Sequence, residues 1–320
     1  VIGIIPYIGL QIKAIMSTFI LISGDQAGGL EIGLFITLML AIFAIIFGAR
    51  KLVTPERQSG LVFAVAFESI IKLAALLSVG FFVTFGLFEG FSDILLRMEQ
   101  SEFNHLLSLG VGYTEWFALT YLCMMAIIFL PRQFHMAVVE NYDLKHLTKA
   151  IWLFPLYLFL INIFVLPIAY GGLLLGGDYK AADYFVLTIP LSQGEKYLSL
   201  LVFIGGFSAA TAMVIVESLA LSTMVMNSIV MPALLKFQES PKFPSIIINI
   251  KRLIIVLVVF LGYVAAITIG DLYALVDIGL KSFVAVSIFA PPFLIGLYWK
   301  RGTKAGAIAG LIAGFVIWFY

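Results

Sequence analysis

Residues 197–235 read YLSLLVFIGGFSAATAMVIVESLALSTMVMNSIVMPALL, a run of 39 residues in which Glu217 is the only charged side chain. About 20 apolar residues cross the hydrocarbon core of a bilayer, so this run predicts one long, tilted transmembrane helix that extends into the cytoplasm. Such continuous apolar runs favour helices over the alternating strands of a membrane β-barrel. The sequence therefore predicts an all-α, polytopic membrane protein with about nine transmembrane helices. The other eight stretches are 1–22, 31–47, 60–88, 113–139, 148–174, 251–269, 272–298 and 304–320.

The composition excludes a water-soluble fold. Of the 320 residues, 62% are hydrophobic and 12% are charged, whereas an ordinary soluble domain is about 25% charged. Cys123 is the only cysteine, which excludes an intrachain disulfide and a cysteine metal cluster. The sequence has no phosphate-binding glycine loop and no HExxH metal motif. We therefore predict no enzymatic activity for this chain.

The positive charges predict the orientation of the chain in the membrane. Short cytoplasmic loops carry an excess of Lys and Arg, so alternate connections are expected in the cytoplasm. Val1 is not an initiator Met, and Tyr320 ends an apolar run, so the sequence is expected to be a piece of a longer protein. Thirteen of the 19 Lys and Arg residues lie in these alternate connections: Arg50, Lys51, Arg57, Arg132, Lys145, Lys149, Lys236, Lys242, Lys251, Arg252, Lys300, Arg301 and Lys304.

Ionisable residues within a membrane span cost about 2.5–3.5 kcal/mol each on insertion scales, and five of those in the predicted spans are candidates for a function. Glu68 and Lys72 share a helix face at i, i+4. They form either a self-neutralised pair or part of an ion path. Glu217 and Lys281 could meet across helices, with Asp277 as a competing partner of Lys281. The alternative for these three is burial at a protein interface without transport chemistry.

Two polar patterns are further candidates. Pro131 interrupts the stretch 113–139; proline removes a backbone donor, so this stretch is either a broken helix lining a cavity or a helix end with Arg132 and His135 in the headgroups. Ser208 and Thr211, at i, i+3, present two hydroxyl oxygens on one face. The alternative is that the small residues around them only allow close helix packing.

Four segments of the chain resemble the sodium:solute symporter family, which has the inverted-repeat fold of the leucine transporter. The run 293–307, FLIGLYWKRGTKAGA, is similar to the penultimate-helix ending of that family. Three runs are more similar to the transporter-like domain of CbrA-type bacterial sensor histidine kinases. They are 6–14, PYIGLQIKA; 130–141, LPRQFHMAVVEN; and 205–214, GGFSAATAMV.

The resemblance implies a single domain over 1–320 that lacks the first two core helices of the fold. Residues 1–88 would form a partial first repeat, 113–298 the second repeat, and 304–320 a truncated peripheral helix. Without the missing helices, the chain by itself is expected not to transport, and a cavity is expected beside 205–212 and the Pro131 break. Cytoplasmic kinase domains are expected elsewhere on the full-length chain.

The resemblance also implies site residues. Glu68 falls at a membrane-embedded acid of the sodium route. The family hydroxyl positions fall on Ala212 and Met213, for which Ser208 and Thr211 would substitute as sodium ligands. The broken helix implies a substrate site at Arg132, Gln133 and Phe134.

The implied function is sodium- or proton-coupled transport of a small polar solute, an amino acid such as histidine or proline, by alternating access. The alternative is a non-transporting sensor domain that binds solute and signals to a cytoplasmic histidine kinase.

Overall fold

The computed structural model describes residues 1–24, 29–48, 59–108, 110, 112–141, 143–234, 243–270 and 274–320. These residues form helices joined by short connections, and they contain no β-strand. The prediction of an all-α fold is therefore confirmed. The helices are α1 Ile5–Ser23, α2 Gly29–Gly48, α3 Ser59–Phe81, α4 Phe91–Glu99, α5 Tyr113–Phe129, α6 Pro131–Phe134, α7 Leu144–Asn162, α8 Val165–Leu174, α9 Phe185–Ser192, α10 Lys196–Val225, α11 Met231–Leu234, α12 Phe243–Ile269, α13 Leu275–Ser287, α14 Ala290–Tyr298 and α15 Lys304–Phe319.

Six short turns of other helical types extend or join these helices. Three are 3-10 turns, at Ile2–Ile4, Glu102–Leu107 and Tyr179–Tyr184. Three are π-helical, at Phe82–Leu87, His135–Val139 and Met226–Val230, and they continue α3, α6 and α10. The last of them joins α10 to α11, so residues 196–234 form one span, as predicted.

Seven helical segments of the described residues are long and apolar enough to cross a membrane. An eighth span is broken, because Tyr113–Phe129 and Pro131–Val139 meet at an angle of 47°. The ninth predicted span, 304–320, corresponds to α15, a shorter apolar helix of 16 residues. Seven continuous spans and one broken span are therefore found among the described residues, and the ninth span stays a prediction. The continuous spans are Ile2–Ser23, Gly29–Phe47, Gly60–Leu87, Leu144–Leu174, Lys196–Leu234, Phe243–Ile269 and Leu275–Tyr298.

One boundary differs more than the others. α12 begins at Phe243, eight residues before the predicted start at residue 251. Lys251 and Arg252 lie within the helix rather than in a connection, because long basic side chains can cover apolar surface while their charged ends reach water. The orientation of the spans remains a prediction, and its markers Arg50, Lys51, Arg57, Lys236 and Lys242 lie outside the described residues.

Helix α10 lies at the centre of the fold and packs against α1, α2, α3, α9 and α12. Residues 214–222 are buried without interruption, as expected for a helix that is apolar on all sides. The most extensive helix pair is α1 with α12. It is close-packed where a Cβ on Gly9 would stand 2.9 Å from the carbonyl oxygen of Gly262, since small residues let helix backbones approach.

The helix contacts show an internal correspondence between two sets of three helices. In the first set, α1 packs on α2, α10, α12 and α13; in the second, α10 packs on α12, α1, α2 and α3. Helices α2 and α12 also pack on each other. Exchanging α1 with α10, α2 with α12 and α3 with α13 reproduces this set of contacts.

A second apolar cluster lies away from this core, where α3, α4, α8 and α9 meet. Val79, Ile94, Ile168 and Phe185 are each buried there. Phe185 lies so close to Gly172 that no other residue fits at that position without a shift of the ring.

Candidate functional site

The break between α5 and α6 is produced by the local sequence. Leu130 has an extended conformation with φ −62° and ψ 128°, between two helical residues. A residue that precedes proline disfavours the helical conformation, and Pro131 then starts a new helix at a position where no amide donor is needed. The helix is thus broken in the interior of the fold, where Leu130 and Pro131 are both buried.

A cavity of about 730 Å³ lies beside the break, among α1, α3, α5, α7, α10 and α13. Its volume falls in the range of about 300–1,000 Å³ typical of small-molecule sites. The wall is mostly apolar, with polar groups that point into it from different helices. Those polar lining residues are Tyr7, Glu68, Ser69, Lys72, Arg132, Gln133, Tyr157 and Asn162.

The charged groups of the cavity are one acid and two bases. The ammonium nitrogen of Lys72 lies 3.8 Å from a carboxylate oxygen of Glu68. Arg132 acts electrostatically on both side chains and on the phenol of Tyr7. With all three charged groups ionised, the described wall carries one excess positive charge. This balance favours a solute with an anionic group, such as a carboxylate.

Two tyrosines of the cavity were not found from the sequence. The hydroxyl of Tyr157 donates a hydrogen bond to the carbonyl oxygen of Ser69 over 3.3 Å, which holds α7 against α3 next to Glu68. The ring of Tyr7 packs against Phe283 with 6.1 Å between the centroids. Both residues lie in otherwise apolar spans, and neither carries a charge that would have distinguished it. Tyr7 does belong to the quoted run 6–14.

The proposed hydroxyl pair does not face this cavity. The α10 residues that line it are Ala212, Met213 and Val216. Thr211 lies instead in an apolar pocket against α2, and its hydroxyl donates to the carbonyl of Phe207 over 2.7 Å. Ser208 is half-buried and is not part of the cavity wall. Neighbouring residues of a helix point about 100° apart, so Thr211 faces away from the cavity that Ala212 lines. The structure therefore does not bring Ser208 and Thr211 together with Glu68.

The remaining predicted residues are divided between the cavity and the surface. Of the substrate candidates, Arg132 and Gln133 line the cavity, whereas Phe134 is exposed. Asp277 and Lys281 lie on an exposed face of α13, where the carbonyl oxygen of Lys281 accepts a hydrogen bond from Trp318. Glu217 is buried on α10 and both its carboxylate oxygens lack a hydrogen-bond partner in the described structure. The structure therefore does not show the suggested pair of Glu217 and Lys281.

A second, smaller cavity of about 290 Å³ lies on the other side of Lys72. Gly205 and Gly206 of α10 line it, whereas Ala212 lines the cavity at the break, so the space expected beside 205–212 and the Pro131 break is divided between two cavities. Asp183 also lines it, and its carboxylate accepts a hydrogen bond from the amide of Leu275 over 3.2 Å. Lys72 belongs to the walls of both cavities and thus stands between them.

Comparisons with protein-family models, with curated proteins and with solved structures found no match for this chain. The residues described above hold no group of three or more His, Cys, Asp or Glu side chains that could bind a metal ion. A functional assignment therefore depends on the charged cavity at the broken helix.

Proposed function

We propose that this chain is a membrane transport module that binds a small polar solute with an anionic group, such as an amino acid, in the cavity at the α5–α6 break. The observation that carries the proposal is Arg132. It follows the break directly and lines a buried cavity of suitable size together with Glu68 and Lys72. Charged side chains in membrane spans mark substrate or ion pathways.

The position of the cavity supports a transport role. Non-helical backbone at membrane depth is tolerated where it lines a cavity, and transporters build their sites from such broken helices near the middle of the bilayer. An amino acid would place its carboxylate at Arg132 and its ammonium group near Glu68. Movement of α6 against α5 at Leu130 would then open and close access to the solute.

The correspondence between α1–α2–α3 and α10–α12–α13 supports the inverted-repeat fold of the leucine transporter. In an inverted repeat, equivalent helices of the two repeats make equivalent contacts, so exchanging the repeats leaves the set of helix contacts unchanged. This agrees with the resemblance to the sodium:solute symporter family. It would place the module in a bacterial inner membrane, and the related sensor kinases suggest cytoplasmic kinase domains on the same full-length chain.

The coupling ion is proposed to act through Glu68, the acid of the site. Sodium coupling would need oxygen ligands beside Glu68, and the hydroxyls of Ser208 and Thr211 lie elsewhere. Glu68 is the acid that is open to the cavity, and it is only loosely paired with Lys72. Sodium and proton coupling are separated by driving uptake with one gradient at a time.

The test is uptake by the full-length protein in proteoliposomes, with an equimolar mixture of the twenty ¹⁴C-labelled L-amino acids as the probe. Accumulation that depends on a sodium or proton gradient is expected, and Arg132→Gln should abolish it. The matched control is Arg97→Gln on the exposed helix α4. Binding of the mixture without accumulation would contradict transport and favour the sensor. Neither binding nor accumulation would contradict a solute site for amino acids.

A further inference from the structure

A buried acid–base contact lies just after the helix break, in the π-helical segment that follows α6. The ring nitrogen Nε2 of His135 lies 3.3 Å from a carboxylate oxygen of Glu140, and the two side chains are only 12% and 6% exposed. Nε2 has no aligned hydrogen bond in the described structure, so this carboxylate is the group that compensates its burial. Neither residue lines the solute cavity. The contact is therefore separate from the groups assigned to the solute.

The spacing of the two residues suits the π-helical conformation and not the α-helical one. The amide of Glu140 donates a hydrogen bond to the carbonyl oxygen of His135 over 3.0 Å, which is the i to i+5 bond of a π-turn. In an α-helix, residues five apart point about 140° away from each other, because each residue turns the helix by about 100°. The wider π-turn brings them to one side. The side-chain contact therefore favours the π-turn over an α-helical register.

The π-turn directly continues the helix that carries the polar residues of the cavity. Helix α6 consists of the four residues Pro131–Phe134, and the amide of His135 donates to the carbonyl oxygen of Arg132. Met136, within the π-turn, lines the cavity together with Arg132 and Gln133. A helix of four residues has little stability of its own. The direction in which Arg132 points therefore depends on the turn that follows it.

The other two π-helical segments of the described residues are built differently. Phe82–Leu87 and Met226–Val230 contain no charged residue. They continue α3 and α10, which are long helices held by extensive packing. The short α6 has no such length before its π-turn. A contact between side chains takes the place of packing there.

We propose that His135 and Glu140 are positioning residues of the solute site. Their contact holds the π-turn, and the π-turn holds α6 with Arg132 directed into the cavity. This rests on the proposed function, in which Arg132 binds the anionic group of the solute. Without the contact, the turn takes the α-helical register, which shifts the segment by one residue. One residue corresponds to about 100° of rotation, so Arg132 leaves the cavity wall.

The first experiment measures the orientation of α6 without a solute. In the full-length Cys123→Ser protein in lipid, Gln133→Cys and Phe134→Cys are each labelled with a small water-soluble thiol reagent, and peptide mass spectrometry gives the two rates. Gln133 lines the cavity and Phe134 is exposed, so the ratio of the rates reports which way α6 faces. Glu140→Ala should change this ratio about tenfold, the effect of one contact to a charged group. The matched control, Glu102→Ala at an exposed acid, should leave it unchanged.

An unchanged ratio in Glu140→Ala would overturn the proposal, because α6 would then keep its orientation without the contact. If Glu140→Ala fails to fold, His135→Leu decides the matter, since it removes the other partner of the same contact. Its control is His105→Leu, at an exposed histidine. An unchanged ratio in His135→Leu would overturn the proposal in the same way.

The second experiment tests whether the contact acts through Arg132. Calorimetry with the equimolar L-amino-acid mixture gives the apparent Kd of the solubilised full-length protein. Glu140→Ala should raise this Kd about tenfold, but it should have no further effect when Arg132→Gln is already present, because the two changes then remove the same interaction. An equal rise in Kd in both backgrounds would overturn the proposal, since the contact would support the fold alone.

Failure of the proposed function gives a different result. If the mixture does not bind to the wild-type protein, the proposed solute class is wrong. The labelling rates at positions 133 and 134 still decide whether the contact between His135 and Glu140 sets the orientation of α6.

Discussion

Two acid–base pairs of the described residues have the same i, i+4 spacing but lie in very different surroundings. Glu68 and Lys72 lie in a membrane span, with 7% and 28% of their side chains exposed, and their charged groups are 3.8 Å apart. Asp93 and Arg97 lie on α4, with 21% and 53% exposed, and their charged groups are 2.8 Å apart. The more buried pair is the looser one, although an interior strengthens electrostatic attraction.

The difference follows from what else each pair contacts. Asp93 accepts hydrogen bonds from Arg97 and from the amide of Glu89, and the guanidinium of Arg97 lies 5.3 Å from the centre of the Phe88 ring. All partners of this pair are local. Glu68 shares its cavity with Arg132, a second cation on another helix. The Asp93–Arg97 pair has only local partners and stabilises its helix. The Glu68–Lys72 pair is longer and shares its cavity with a cation of another helix, so its polar atoms are available to a solute.

The largest effect is expected when the distant cation is removed. Arg132→Gln should reduce gradient-driven uptake of the amino-acid mixture at least about 30-fold, because loss of one partner of a buried charge pair costs about 2 kcal/mol or more. The measurement is the initial rate of uptake in proteoliposomes at equal protein content. If Arg132→Gln and Arg97→Gln lower the initial rate of uptake equally, the effect of Arg132 is not specific to the cavity.

The next effect separates a functional acid from a counter-ion. Glu68→Gln should lower uptake about tenfold, since Lys72 loses its neighbour and the solute loses an acid. The control is the double variant Glu68→Gln with Lys72→Met, which removes the uncompensated charge and completes a double-mutant cycle. If the double variant restores full coupled uptake, Glu68 serves only to neutralise Lys72. The Glu68–Lys72 pair would then have a structural role, like the Asp93–Arg97 pair.

A smaller effect is expected from the contact that fixes α7 beside Glu68. Tyr157→Phe removes the hydrogen bond to the Ser69 carbonyl, worth about 0.5–1.5 kcal/mol. The apparent KM for uptake should therefore rise a few-fold, while the amount of folded protein stays the same. Tyr197→Phe, at a tyrosine that is 91% exposed, is the matched control. If the KM for uptake is unchanged in both variants, Tyr157 does not contribute to solute binding.

The smallest effect is expected on thermal stability, when the Asp93–Arg97 pair is broken. The hydrogen bond from Arg97 lowers the pKa of Asp93 below its ordinary value, and the amide of Glu89 adds to this. A carboxyl with a lowered pKa in the folded state contributes stability above its unfolded-state pKa and loses it as the pH falls through the folded-state value. Asp93→Asn should therefore lower Tm slightly at neutral pH and leave it equal to that of the wild type in acid.

The measurement is Tm against pH for the wild type and Asp93→Asn. A Tm difference of constant size across the whole range would show that the pair acts through packing rather than through charge. Uptake should be the same in both proteins, because α4 is remote from the cavity.

The sequence by itself determined the spans and the break. The predicted run 1–22 corresponds to Ile2–Ser23, and 197–235 corresponds to Lys196–Leu234. Transfer of apolar residues into lipid and the missing amide of Pro131 are local effects, so a single sequence contains them. The same reasoning predicted a helix over 304–320, which corresponds to α15.

Only the tertiary structure decided which faces meet. Along α10, Thr211 turns to α2 while its neighbour Ala212 turns to the cavity, so the face of α10 that lines the cavity does not carry the predicted pair of hydroxyls. The placement of Arg132 in one cavity with Glu68 and Lys72 joins two segments that are far apart in the sequence. Apolar helices carry little record of which side will pack on which neighbour, because lipid and protein interior solvate them alike. The charges predicted a site, and the packing showed which of them line one cavity.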